Sequence, residues 1–103
     1  GLCSIFLRHT SASLLITENA DLSVRNDLQN WMEKIAPEGD SAYTHTAEGP
    51  DDMPSHLRAA VTRTCENIPV TDGSIDLGQW QGIYIFEHRS RAHRRTVSVR
   101  VWE

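Results

Sequence analysis

Alternation with a period of two marks the end of this chain and sets the first limit on its fold. In VSVRVW, residues 97–102, Val97, Val99 and Val101 share one face of an extended strand while Ser98, Arg100 and Trp102 share the other. The opposite end is extended as well. LCSIFLR (2–8) and SLLIT (13–17) are short aliphatic runs around the polar turn HTSA, and they read as two buried strands. Further strands are expected at Ile68–Val70 and Ile83–Glu87, with Asp72-Gly73 as a tight turn after the first of them. Helical spacing is confined to the middle. From Asp21, whose side chain can accept first-turn amides, Val24, Leu28, Trp31, Met32 and Ile35 recur on one face until Pro37 and Gly39 stop the pattern. A second helix is expected from near Pro54, with Leu57, Ala60, Val61 and Thr64 as its apolar stripe and Asn67 and Pro69 closing it.

At 103 residues the chain is one domain with room for a modest core. No apolar run approaches the roughly 20 residues of a membrane span, and a basic leader is absent, so the reading is a soluble, cytoplasmic protein without a membrane partner. Cys3 and Cys65 are too few for a disulfide framework and are expected as buried free thiols. The chain begins at Gly1 already inside a strand pattern, which suggests a fragment lacking a leader or an N-terminal strand. The net charge of −4 argues against a general nucleic-acid surface. Four arginines nevertheless crowd into HRSRAHRR, residues 88–95, and Arg89 or Arg91 is expected to contact an anion or an acidic group of a neighbouring subunit.

The densest chemistry lies between the helices. YTHTAEGPDDMPSH, residues 43–56, holds His45, Glu48, Asp51, Asp52 and His56 with no lysine or arginine among them. If the second helix begins by Asp52, that carboxylate and His56 point the same way, and the Gly49-Pro50 turn can bring His45 back to them. Two imidazoles and a carboxylate are a set that a divalent cation takes, zinc more readily than all-oxygen magnesium, with His9 or Asp52 as the next ligand. The same residues also fit a helix cap, a surface histidine and solvated loop acids, and spacing does not decide between these readings. His9 and Ser11 offer a serine nucleophile with its base, but the geometry of such a pair is made in space rather than in sequence, and HTS alone is weak evidence for it. Lys34 beside Glu33 gives a Schiff-base mechanism no convincing candidate.

Several blocks in order carry a resemblance: HTSAS at 9–13, ENAD at 18–21, EGPDDMPSH at 48–56, LGQWQGIYIFEHR at 77–89 and the closing RR-x-V-x-V. Together they resemble the YjbQ-like family, linked to a secondary thiamine-phosphate synthase activity. The resemblance implies an α+β fold, a two-sheet β-sandwich with two helices, assembled as a homotrimer. It also implies one shared, metal-containing pocket between subunits. Matched position by position, it makes His9, His45 and His56 metal or active-site residues. It further marks Glu48, Asp51, Asp52 and Glu87 as catalytic candidates and Ser11, Asn19, Trp80, Gln81 and Arg89 as contacts for a small phosphorylated substrate, to which the arginine-rich turn adds Arg91. Gln79 and Thr17 depart from the family pattern. The implied reaction joins a pyrimidine diphosphate to a thiazole phosphate and releases pyrophosphate. A different metal-dependent hydrolase or lyase would use the same residues, and a non-enzymatic trimer binding a metal or anion would need no general base.

Overall fold

The centre of the molecule is strand β1 (Leu2–Leu7), where period-two alternation buries Cys3, Ile5 and Leu7 and leaves Leu2 and Phe6 exposed. In the computed structural model, which describes residues 1–103, β1 is flanked antiparallel on one side by β3 (Cys65–Thr71) and on the other by β6 (Val97–Trp102). A short strand, β4 (Ser74–Ile75), folds back on β3, giving the order β4-β3-β1-β6. The connection is the expected Asp72-Gly73 turn. Both residues have positive φ, 51° and 80°, the conformation that makes a two-residue hairpin follow the natural strand twist. A second antiparallel sheet pairs β2 (Ala12–Glu18) with β5 (Gln81–Glu87), Ala12 opposite Glu87 and Glu18 opposite Gln81. The two aliphatic runs at the N-terminus thus belong to different sheets, and the turn between them carries the chain across. The Leu14 amide donates to the Arg63 carbonyl at 2.7 Å and ties β2 to the segment entering β3. Between the sheets Cys3, Ile5, Leu7, Ala12, Leu14 and Ile68 form the core.

Helix α1 (Leu22–Ile35) begins as expected, with Asp21 Oδ1 accepting the Ser23 amide at 3.0 Å. Of its apolar stripe only Met32 is buried; Trp31 remains 56% exposed. Helix α2 runs Asp52–Ala60, so it starts two residues before Pro54 and ends four before Thr64, shorter than its stripe predicted. The reason lies in Thr62, whose hydroxyl donates to the Arg58 and Ala59 carbonyls at 2.9 and 3.2 Å and occupies the helix end. Asn67 and Pro69 do not close this helix but lie inside β3, opposite Ser4 and Leu2. Cys3 is buried as expected, whereas Cys65 is exposed, because the β3 face that carries it points away from the core.

Much apolar surface stays open. Val99 and Val101 lie opposite Ile5 and Cys3 on the core side of the sheet, yet on the edge strand β6 they are 56% and 59% exposed. The radius of gyration is 15.5 Å, against about 13 Å for a compact domain of this size. Core positions should therefore dominate stability. Leu14→Ala is expected to cost about 2–5 kcal/mol in urea unfolding, while Val61→Ala, at a residue 64% exposed, should stay within about 0.5 kcal/mol.

Candidate functional site

Because α2 starts at Asp52, Asp52 and His56 stand one helical turn apart on the same face. His56 Nε2 lies 3.1 Å from Asp52 Oδ2. The loop before α2 reverses at Gly49, whose φ of 103° suits glycine, and carries His45 to the same oxygen, its Nε2 at 2.8 Å. Ligand atoms of His45, Asp52 and His56 all fall within 4.8 Å of one another. Asp52 is buried while His45 is exposed, so the group is rooted in the fold and open on one side.

The hydrogen-bond roles constrain the charge. His56 Nδ1 sits 2.8 Å from the Thr10 carbonyl, which only accepts, so Nδ1 carries a proton. In the neutral ring Nε2 then presents a lone pair to a carboxylate oxygen at 3.1 Å, and two lone pairs repel. A second proton or a cation held among these atoms removes the conflict. Burial works to raise the Asp52 pKa, but the hydrogen bond from His45 and the charges and hydrogen bonding of His56 and Arg89 outweigh it and hold the group below its usual range. The residues present fit a divalent cation: imidazole and carboxylate donors converge, and a carbonyl fixes the far nitrogen of His56, as metal-ligating histidines usually require.

Arg89, just beyond β5, locks this arrangement. Its Nε and Nη2 donate to Asp51 Oδ2 and Oδ1 at 3.1 and 2.9 Å, and Nη1 lies 3.3 Å from Asp52 Oδ1. Asp52 thus keeps Oδ2 for the histidines. Nη2 also reaches the Glu48 carbonyl at 3.0 Å, and the Ser90 amide and hydroxyl both donate to Asp51 Oδ2. The Arg89 hydrogen bond, then the Ser90 amide, hold Asp51 far below the usual carboxylate range, and the Asp51 hydrogen bond in turn raises Arg89. The acidic group Arg89 meets is therefore in its own chain, and Arg91 is exposed.

The other sequence candidates are dispersed. His9 Nε2 accepts the Thr96 amide at 2.6 Å and is not part of the His45–Asp52–His56 group, although the residue lines a groove beside Thr10 and His56. Glu87 is gripped by Arg95, which also donates to the Ser11 hydroxyl at 2.9 Å. Burial raises the Glu87 pKa, but the bond from Arg95 helps bring it below its ordinary value. The Glu48 side chain is exposed. Asn19, Trp80 and Gln81 sit at the far end of the β2–β5 pair, where Asn19 Nδ2 donates to the Gln79 and Gln81 carbonyls at 3.2 and 3.1 Å. Within one chain they do not meet the histidine cluster. Sequence reasoning missed Arg58 and the Ser13–His88 pair, all buried, with Ser13 Oγ 2.8 Å from His88 Nε2. Only the fold gathers them, from three separate elements.

A family model described as UPF0047 protein YjbQ-like matches residues 1–103. The chain belongs to this family. It is 52% identical over 101 residues to a UPF0047 protein of Synechocystis, covering 98% of this chain and 69% of that protein. To YjbQ of Salmonella typhimurium it is 43% identical, covering 94% of this chain and 70% of the other. Among solved structures, a conserved protein of Thermus thermophilus superposes with a TM-score of 0.87 at 29% identity, covering 99% of this chain and 78% of that one. A YjbQ/UPF0047-family protein of Clostridium acetobutylicum gives 0.85 at 33% identity, covering 97% and 74%. No helix is long and apolar enough to cross a membrane.

His88 supplies a pH prediction. Burial, then the charge of Arg58, lowers its pKa from 6.5 to about 4, so it stays neutral in the fold where the unfolded chain takes up a proton. Its contribution is complete above pH 6.5 and is lost as the pH falls towards 4. Urea titrations across that window should show a loss of about 3 kcal/mol that a folded His88→Gln variant lacks.

Proposed function

We propose that the chain is a metal-dependent enzyme acting on a small phosphorylated substrate, with His45, Asp52 and His56 holding one divalent cation. The supporting observation is the approach of two imidazole nitrogens to one buried carboxylate oxygen, with the far nitrogen of His56 donating to Thr10. Imidazole donors favour zinc over magnesium. When bound, the cation supplies Lewis acidity and positive charge towards a phosphate oxygen. Around it the chain's own groups have separable roles. Arg89 positions Asp52 by holding Oδ1, and Thr10 fixes the ring of His56. Glu48, exposed in the loop that joins His45 to Asp52, is the candidate general base. Arg91, Arg94 and the groove holding His9 are open to a phosphate.

The finer reading is a thiamine-phosphate synthase-like transfer, in which the thiazole nitrogen bonds to the pyrimidine methylene carbon as the bond to pyrophosphate breaks. Family resemblance supports it, and positioning with charge stabilisation is what such a displacement needs from a protein. A homotrimer is proposed with it. The support is the open apolar surface on β6 and α1, together with the distance between the Asn19–Trp80–Gln81 end and the histidines, which an adjacent subunit could close. Two free thiols suit a reducing cytoplasmic setting.

The test is metal analysis joined to a pyrophosphate-release assay on phosphorylated heterocycles. Zinc near one per chain is expected, lost in His45→Ala and His56→Ala. Glu48→Gln should keep the metal and lose about 10²–10⁴-fold in rate. No zinc binding on titration would end the metal reading, and full activity in Glu48→Gln would remove Glu48 from the chemistry.

A further inference from the structure

Arg58 is a cation without a counter-charge. Its residue is 5% exposed, and its only partners are two carbonyls: Nη1 donates to His88 at 3.0 Å and Nη2 to Ala36 at 2.7 Å. Nε is buried and has no partner at all. A guanidinium carries five N–H groups, so two carbonyls leave most of its donor capacity unmet. The Ala36 carbonyl lies at the negative end of α1, which offsets part of the charge but not a full unit. His88, its other neighbour, supplies only a backbone oxygen. Buried charges are ordinarily paired, because removal from water costs several kcal/mol that an ion pair must offset.

Arg58 also lines a cavity of about 370 Å³ in which Pro37 is the one apolar residue: Gln29, Glu33, Glu38, Arg89 and Ser90 complete the wall. Arg89 has its charge met by Asp51 and Asp52, so Arg58 is the unmatched group of this wall. Glu33 and Glu38 are exposed and form no ion pair with Arg58; water screens their charges more than it screens the buried guanidinium. We propose that this cavity binds a small oxyanion, a phosphate or carboxylate group, with Arg58 as its counter-charge. The two rim acids then select for a ligand that presents a single anionic group inward and hydrogen-bond donors outward. The site stands apart from the metal reading, since none of His45, Asp52 and His56 lines the cavity.

The experiment is calorimetric titration of the intact chain with inorganic phosphate and, separately, acetate, alongside melting-temperature scans. At least one anion should bind saturably and raise the melting temperature, and the tighter of the two identifies the group. Arg58→Met should weaken binding by about tenfold or more, the equivalent of one charge-assisted hydrogen bond. Should that variant fail to fold, Glu33→Gln and Glu38→Gln decide instead: removing acids from the rim should tighten binding severalfold. Arg63→Ala and Arg100→Ala, exposed and outside the cavity, should change nothing. Absence of binding by both anions, binding insensitive to the rim substitutions, or loss of binding in the Arg63 and Arg100 variants would each overturn the proposal. Zinc is omitted throughout, so failure here leaves the metal reading untouched, and the reverse holds.

Discussion

The fork of Arg89 on two successive aspartates organises the polar half of this molecule. One guanidinium binds Asp51 through two nitrogens and Asp52 through the third, and so joins the exit of β5 to the first turn of α2. Loop 36–51 has few apolar anchors, and this ion pair fixes its end. Both partners are largely removed from water, where removing one would leave the other uncompensated at a cost of about 3–5 kcal/mol. The consequence for chemistry is directional. With Oδ1 held by Arg89, Asp52 turns Oδ2 alone towards His45 and His56.

The apolar half follows a different constraint. Fifteen of 103 residues are buried, while Trp31, Trp80, Trp102, Val99 and Val101 are each more than half exposed. On β6, the edge of the four-stranded sheet, Val97 packs against the core while Val99 and Val101 stay open. So much open apolar surface is unusual for a chain of this size. It lies on other elements than the histidine cluster.

Local features of the fold were legible because each has a local cause. Asp21 caps α1 with its own side chain, Asp72-Gly73 makes a turn that few other pairs can make, and alternation in β1 and β6 needs only the pleat. Helix α2 was misread at its end because Val61 and Thr64 continue a helical stripe, while the Thr62 hydroxyl terminates the helix by a hydrogen bond that periodicity does not report. In the site, Asp52 and His56 were readable from their spacing and His45 from the Gly49 turn. The hydrogen bond of His9 to the amide of residue 96 was not legible, because it joins positions far apart along the chain. Arg58 carried no signal: a lone arginine on an amphipathic helix looks solvated until α1 and the β5 exit close over it.

If Asp52 gathers His45 and His56 for a cation through their Nε2 atoms, long-range ¹H–¹⁵N spectra of the imidazoles, recorded as zinc is added, will show it atom by atom. The Nε2 resonances of His45 and His56 should move together and saturate, with Nδ1 of His56 still protonated against Thr10 and His9 unchanged. Resonances that ignore zinc, or that move at His9 while His45 stays fixed, would contradict it.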